Sequence, residues 1–468
     1  MQALAEEREM YKVQSDYGRD LLDGVKSIHF IGCGGSGMYP LIQILAARGY
    51  HITGSDVLEG SILDSERAMG IAVTLGHRAE NIEGADLVVY SAAIAADNVE
   101  LAAAQAHGVR TIERSVLLGY VSRLYKTSIC VAGTHGKTTT TAMITTALEL
   151  AGRDPSAVIG GKLPLIGGYG KSGKGDEIVV EACEYAETFL KLTPYFGVIL
   201  NIDNDHLDYY GTMGELKFAF KRFALMSQYV VFVNVDDQNT LDVMFSLDRR
   251  VRTFGVDAEE CDFKAANVQE YRPGFYEFDL LVLGRPSGHI RLSIPGRHNV
   301  YNALAMCSVC ISLGMTGEQC AAAAEHFKGA SRRFEIYGEC NGAVVADDYA
   351  HHPTELEATL KTARQLGYKR LIAVHQPFTY SRTKALMDDF VRVLQLADVV
   401  VLTPILGSRE VDDGSVKTAD LAARIPGAVE VSSLEDAAAW VKANAREGDL
   451  VLTLGCGDVY KASKMMVQ

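Results

Sequence analysis

What this chain lacks narrows its function first. It has no excess of basic residues: 45 Lys and Arg face 59 Asp and Glu, a formal net charge of −14. That balance excludes general nucleic-acid binding, which needs a basic face against phosphates. Small anionic ligands stay open, because one local site can be positive inside an acidic protein. No apolar run reaches the ~20 residues of a membrane helix, so no membrane span is expected. Met1 to Asp23 is rich in Glu, Arg and Asp and lacks the apolar centre of a secretory signal; a surface helix or loose arm is expected. The nine cysteines form no regular framework. Cys307 and Cys310 make one CxxC with no second pair at zinc spacing, inside the apolar run Ala303 to Leu313. Buried helix thiols are the expectation. Together these absences indicate a reducing compartment, hence a cytoplasmic protein.

What is present is an enzyme-like α/β pattern. A chain of 468 residues is too long for one core, and about three domains are expected. Strand and helix patterns alternate almost throughout, which indicates α/β domains with parallel sheets. The first block, 1–125, opens with a strand at Ser27 to Ile31 and a glycine loop. A helix at about Met38 to Arg48 follows, then strands at Tyr50 to Thr53 and Asp86 to Tyr90. The second block, 126–330, starts with a strand at Ser128 to Ala132. The third, 331–468, has strands at Val344 to Ala346, Leu371 to Val374, Val399 to Thr403 and Leu450 to Leu454. The glycine-rich stretch Gly160 to Gly175 is expected to be a long surface loop.

The clearest chemistry lies in the second block. Gly133-Thr134-His135-Gly136-Lys137-Thr138-Thr139 runs from the end of a strand into a helix expected over Thr138 to Ala151. Glycines let backbone N–H groups approach phosphate oxygens, and the helix N-terminus adds partial positive charge. Lys137 can reach β- and γ-phosphates, and the Thr138 hydroxyl can bind Mg²⁺. The loop is a shortened variant, because Val131 stands where the standard pattern has its first glycine. Glu181 ends an apolar strand pattern, and His206 follows another. In a parallel sheet both emerge where ligands bind, beside the phosphate loop, and both suit a divalent metal near phosphates. Thr138, Glu181 and His206 are therefore the candidate metal ligands.

Gly32-Cys33-Gly34-Gly35-Ser36-Gly37 fits GxGxxG after a strand, with Asp56 after the next strand. That spacing holds a diphosphate near a ribose. A dinucleotide or a nucleotide-sugar diphosphate satisfies it equally, so an NAD-dependent oxidoreductase stays open at this point.

Four stretches carry a resemblance to the bacterial Mur ligase family. They are His29 to Met38, Gly133 to Thr141, Arg297 to Ala303 and Asp347 to Glu355, one or more in each block and in the family's order. The resemblance implies an α/β, three-domain ligase: a Rossmann-like N-terminal domain for a UDP-sugar, a central P-loop ATPase domain with a mostly parallel sheet, and a Rossmann-like C-terminal domain for an amino acid. It implies ATP, Mg²⁺ (or Mn²⁺), UDP-N-acetylmuramate and L-alanine, in a monomer or weak homodimer serving cell-wall synthesis. Carried over by motif, Gly133, Thr134, His135, Gly136, Lys137, Thr138 and Thr139 would bind ATP, with Asn299 and Asn302 as adenine-side and ATP-positioning residues and Arg333 closing over the nucleotide. Gly32, Gly34, Gly35, Ser36, Gly37, Met38, Asp56 and Ser91 would bind the UDP-sugar. Lys137, Glu181, His206, Arg333 and Asp347 or Asp348 would be catalytic, and Tyr349, His351 and Arg382 would face the amino acid. Two departures touch the third block. Phe378 stands where the family has His, and Leu406-Gly407-Ser408-Arg409-Glu410 replaces a Tyr-Ala-Ala-Arg-Glu run. A family member that attaches a preformed tripeptide instead of alanine is the nearest alternative.

Overall fold

The structure is a computed structural model that describes residues 21–245, 247–408 and 410–467. Up to residue 20, the arm expected over Met1 to Asp23 lies outside the described residues, as does Arg409 of the third-block departure. Three sheets organise the chain. The first contains β1 (Ser27–Ile31), β2 (His51–Asp56), β3 (Ala72–Leu75), β4 (Leu87–Tyr90) and β5 (Arg110–Glu113), ordered β3-β2-β1-β4-β5 and parallel throughout. Ile28, Phe30 and Ile31 are fully buried. Such two-sided burial is what helices on both faces of a parallel sheet impose. The strand order reverses between β1 and β4, so the glycine loop after β1 opens at the switch point where such sheets take ligands.

The second sheet has ten strands. They are β6 (Thr127–Ala132), β7 (Ser156–Leu163), β8 (Gly168–Lys171), β9 (Glu177–Glu181), β10 (Phe196–Ile199), β11 (Val230–Asn234), β12 (Val251–Gly255), β13 (Phe263–Arg272), β14 (Phe275–Val282) and β15 (Arg285–Arg291). Their order is β15-β14-β13-β12-β11-β10-β6-β9-β7-β8. β6 lies between β10 and β9, parallel to both. The third sheet contains β16 (Glu335–Cys340), β17 (Ala343–Asp348), β18 (Arg370–His375), β19 (Val399–Leu402), β20 (Val429–Glu430) and β21 (Asp449–Leu454), ordered β16-β17-β21-β18-β19-β20. Only β16 is antiparallel to its neighbour there.

By packing, the chain divides into two compact units. Of the described residues, one comprises those within 21–266, 280–288 and 301–324; the other comprises those within 267–279, 289–300 and 325–467. Within the first unit, one apolar cluster runs from Ile28 and Phe30 through Leu117 to Val180 and Phe220, joining the first sheet's layers to the second's. Within the second unit, Ala346, Leu371 and Leu452 lie in a cluster on one side of the third sheet, and Val345, Ile372 and Val451 in a cluster on the other. Adjacent strand residues point to opposite faces, which is why the two clusters alternate along the sequence.

The stretch Gly160 to Gly175 corrects an expectation. It is a hairpin arm, not a surface loop: β7 and β8 pair antiparallel, as Ala157 with Lys171 and Val158 with Gly170. A Cβ on Gly170 would collide with Pro40 of the helix Tyr39–Ala47 and with the Ala157 carbonyl. The glycines serve close approach here rather than mobility. The consecutive strands β13, β14 and β15 also depart from the alternating pattern, since no helix separates them. Cys307 and Cys310 lie fully buried in the helix His298–Ser312, as free thiols.

Candidate active site

The phosphate loop is built on the exit of β6. The helix Lys137–Leu150 begins directly after Gly136, which takes φ 85°. A Cβ at Gly136 would also collide with the Asn302 amide oxygen, so glycine is required on two counts. The loop is braced from the segment after β10. Thr134 N donates to Asn201 O at 3.0 Å, and His135 N donates to Asn201 Oδ1 at 2.8 Å. Asp203 N donates to Thr134 Oγ1 at 2.9 Å, and the His135 ring lies 2.9 Å from Asp203 Oδ2. Asn302 accepts from Thr140 Oγ1 at 3.1 Å on the first turn of the helix. Asn299, one turn earlier on its own helix, donates to Pro295 O at 2.7 Å.

Lys137 points into the loop. Its ammonium donates to Gly133 O at 2.6 Å and Thr134 O at 3.0 Å, and pairs with Glu184 at 2.9 Å. Burial by itself disfavours the ammonium, but the Glu184 charge outweighs it and holds the pKa above the usual lysine value.

Thr138 donates its hydroxyl to Glu181 Oε1 at 3.0 Å. The other Glu181 oxygen accepts from Gly160 N at 2.7 Å. A Cβ at Gly160 would sit 2.7 Å from that carboxylate, so β7 must offer glycine there. Adjacent ligands on an octahedral Mg²⁺ with ~2.1 Å bonds lie about 3.0 Å apart. The Thr138 and Glu181 oxygens match that separation, and both are hard donors, so they fit such an ion. His206 leaves the same sheet edge two segments away, past β10. It takes φ 57°, its ring packs on Tyr185 at 5.0 Å, and its Nε2 lies 3.6 Å from Asp205. The structure thus joins Thr138 to Glu181 and Lys137 to Glu184 by contact, and places His206 beyond a strand that flanks β6.

At the first glycine loop, Asp56 turns inward. Its Oδ2 accepts from Gly34 N at 3.0 Å, and its Oδ1 accepts from Val57 N and Leu58 N. The acid therefore braces the loop and the following turn. Ser91 stands opposite Gly32, its hydroxyl accepting from Ala93 N. Gly35 caps the turn into the helix Tyr39–Ala47, accepting from Met38 N at 2.9 Å. A cleft of about 270 Å³ runs from Ser36 and Gly37 past Arg114 and Gly160 to Glu181. One groove thus links the glycine loop to Glu181, within one compact unit.

In the second unit, two adjacent acids at the end of β17 have different surroundings. Asp347 is fully enclosed: Arg332 Nε donates to its Oδ2 at 2.9 Å, and Thr453 Oγ1 to its Oδ1 at 2.6 Å. Arg332 also holds the carbonyls of Gly455 and Gly457. Asp348 accepts from Phe334 N at 2.8 Å and Ala350 N at 2.9 Å. Burial pushes the Asp348 carboxyl up to about 6, against the pull of the Arg333 charge and those N–H groups. Arg333 lies over the Tyr349 ring at 5.1 Å, and His351 packs edge-on against both Tyr349 and Phe378. Phe378 is bridged to Leu406, which joins the two departures from the family pattern into one wall. Arg382 lies on the helix Tyr380–Ala385, whose Ser381 N donates to Glu410 at 2.9 Å.

Four residues of these surroundings carried no assigned role in the sequence: Glu184, Asn201, Asp203 and Arg114. Glu184 had a signal, a second carboxylate three residues past Glu181. Asn201 and Asp203 sit in the same run as His206, but their partners lie some 66 and 68 residues away. Arg114 begins a helix 77 positions after Gly37 and reaches it only through the fold.

Comparison with known proteins places this architecture. The Mur ligase family catalytic domain matches residues 27–126, the Mur ligase middle domain residues 131–310, and the Mur ligase glutamate ligase domain residues 332–457. The chain belongs to the Mur ligase family, a three-domain class of α/β ligases. Its similarity is narrower than the class. It is 42% identical over 453 residues to the UDP-N-acetylmuramate–L-alanine ligase of Caldanaerobacter subterraneus subsp. tengcongensis, covering 96% of this chain and 98% of that one. It is 41% identical to the enzyme of the same name from Alkaliphilus metalliredigens, covering 95% and 97%. The crystal structure of UDP-N-acetylmuramate-alanine ligase from Thermotoga maritima aligns with a TM-score of 0.81 at 28% identity, covering 94% of this chain and 98% of that one. A murein peptide ligase from Psychrobacter arcticus shares the fold, with a TM-score of 0.73 at 23% identity.

Proposed function

We propose that this protein is an ATP-dependent ligase that joins the carboxylate of UDP-N-acetylmuramate to the amine of L-alanine, a step in building peptidoglycan precursors. The observation that carries the reading is the 42% identity, over nearly the full length of both chains, to a ligase of that name. The oxidoreductase alternative gives the phosphate loop no role, and Asp56 is already engaged with its own loop.

A carboxylate is a poor electrophile and hydroxide a poor leaving group, so direct condensation with an amine fails in neutral water. Transfer of the γ-phosphoryl group of ATP to the muramate carboxylate gives an acyl phosphate and ADP. The alanine amine then attacks the acyl carbon, a tetrahedral intermediate forms, and phosphate departs. The first step depends on positioning and charge neutralisation. Lys137 and the loop N–H groups stabilise the transferring phosphoryl oxygens. Mg²⁺ or Mn²⁺, when bound, supplies further positive charge there; Thr138 and Glu181 would hold it, with His206 as a third ligand. Residues 1–125 bind the UDP-sugar, with its diphosphate at Gly32 to Met38. Residues 126–330 bind ATP, and residues 331–468 bind the amino acid through Tyr349, His351 and Arg382. Arg333 serves the nucleotide phosphates. Asp347 or Asp348 serves from the end of β17, where Arg332 and Thr453 hold the first and Phe334 N, Ala350 N and Thr359 hold the second.

The test is phosphate release with Mg-ATP and UDP-N-acetylmuramate, across L-alanine, L-serine, glycine and the preformed tripeptide. Release should require an amine and be fastest with L-alanine; Lys137→Ala should lower it by about a hundredfold or more. Release independent of the amine would sink the ligase reading, and preference for the tripeptide would move it to the tripeptide ligase.

A further inference from the structure

The phosphate loop holds an anion that the chemistry above does not use. Glu184 is buried, its side chain 1% exposed, and its carboxylate meets Lys137 Nζ at 2.9 and 3.0 Å. The same ammonium donates to the carbonyls of Gly133 and Thr134. An ammonium has three donors, so all three are spent inside the loop. A phosphate reaches Lys137 only by displacing one of these acceptors. Glu184 is the single anion among them, and at this depth a like charge beside phosphate is costly.

The backbone around Glu184 is fastened to keep it there. Ala186 and Glu187 both take left-handed conformations, φ 50° and 55°. Such strain persists in L-residues only where the surroundings over-determine it. Here Phe189 N donates to Cys183 O at 2.9 Å and Glu187 N to Glu184 O at 3.0 Å. Tyr210 donates its hydroxyl to the Glu184 carbonyl, and Arg222 pairs with Glu187 at 2.9 Å. A loop that merely connected β9 to β10 would relax into ordinary dihedrals. This one is tied internally and pinned from two neighbouring helices, and what it presents to the site is the Glu184 carboxylate.

We propose that Glu184 is a positioning residue that acts through Lys137: it holds the ammonium against the loop and competes with nucleotide phosphates for it, weakening ADP binding and easing product release. The inference rests on the reading of Lys137 as an ATP-binding group. The design is a compromise between two requirements. Lys137 must be charged and close when the γ-phosphoryl group transfers, and it must let go of the β-phosphate when ADP leaves. A buried competing carboxylate meets the second requirement without removing the first.

The experiment is a calorimetric titration of the full chain with Mg-ADP, set beside steady-state ligation kinetics, for Glu184→Gln, Lys137→Met and the double variant. Glu184→Gln keeps the size and removes the charge. It should bind Mg-ADP about tenfold more tightly, lower KM for ATP, and lower kcat as ADP release slows. KM for the other two substrates should stay unchanged. In the Lys137→Met background the same substitution should change the dissociation constant by less than about twofold, because its effect passes through the lysine. If Glu184→Gln does not fold, Glu184→Asp carries the test: a shorter carboxylate loosens the pair, and Mg-ADP should bind a few-fold more tightly. An unchanged or weaker affinity in folded Glu184 variants overturns the proposal and leaves Lys137 in place. An unchanged affinity in Lys137→Met overturns it differently, by removing the ATP-binding reading of the lysine itself.

Discussion

Gly136 shows how much one residue can carry. It combines φ 85° with a Cβ position occupied by the Asn302 amide, so an added methyl group meets both backbone strain and collision. Left-handed backbone costs an L-residue about 1–2 kcal/mol before any collision. Gly136→Ala should lower stability by at least that amount, measured by urea unfolding, and weaken Mg-ATP binding by about tenfold or more in a titration. A substitution that cost stability but left nucleotide affinity intact would show that Asn302 and the loop move independently. The acids at the end of β17 make a second residue-scale point. Neighbouring strand residues face opposite sides, so from the sequence Asp347 and Asp348 were interchangeable candidates. Their partners separate them: Thr453 and Arg332 for the first, backbone N–H groups and Thr359 for the second.

At the scale of elements, caps and close approaches decide more than propensity. The helix Pro353–Gln365 begins with His352 as its N-cap and with Glu355 completing a capping box. His352 lies next to residues assigned to the amino-acid site, yet its ring accepts from Thr354 N at 3.3 Å. His352→Ala should cost about 1 kcal/mol of stability, read from the unfolding midpoint in denaturant. A cost near zero would mean that the cap is dispensable and that the imidazole has another purpose. The strand–loop–helix order around Lys137 was legible in the sequence, because an apolar run, a glycine turn and a helical pattern are all local signals. The β7–β8 hairpin was not. Its glycines look like loop punctuation until Pro40 and Glu181 are seen to occupy the space their side chains would need.

At the scale of the whole molecule, pH should act through groups buried by the fold. His375 is fully buried at the end of β18, and burial pulls its pKa down to about 4. The unfolded chain takes up that proton near pH 6.5, whereas the native state does not. The contribution of His375 is therefore full above about pH 6.5 and is lost progressively as pH falls towards 4. Asp348 works the other way. Its carboxyl is held up at about 6, so the native state keeps a proton that the unfolded chain releases, and its contribution grows as pH falls through 6. Below about pH 4.5 Glu100 adds a loss, because burial is outweighed by His29, Ser55 and Asn81 and its carboxyl is lowered to about 2. The difference between the parent and His375→Asn isolates the first effect. Urea midpoints measured from pH 7 to pH 4 should fall less steeply in the variant; equal slopes would show that His375 is protonated in the native state.

Local pattern, then, was enough for the class of fold, the family, and the strand, glycine turn and helix order at Gly32 and Gly133, because these are encoded in contiguous runs whose spacing is itself the physics. Convergence was not. Lys137 meets Glu184, 47 positions away, and Thr138 meets Glu181, 43 positions away. Asn302 reaches the helix of the phosphate loop across 162 positions. No periodicity records such pairings, since each depends on which strand lies beside which in the sheet. Only the folded order β10-β6-β9 brings Glu184 against the lysine, a pairing that no local pattern carries.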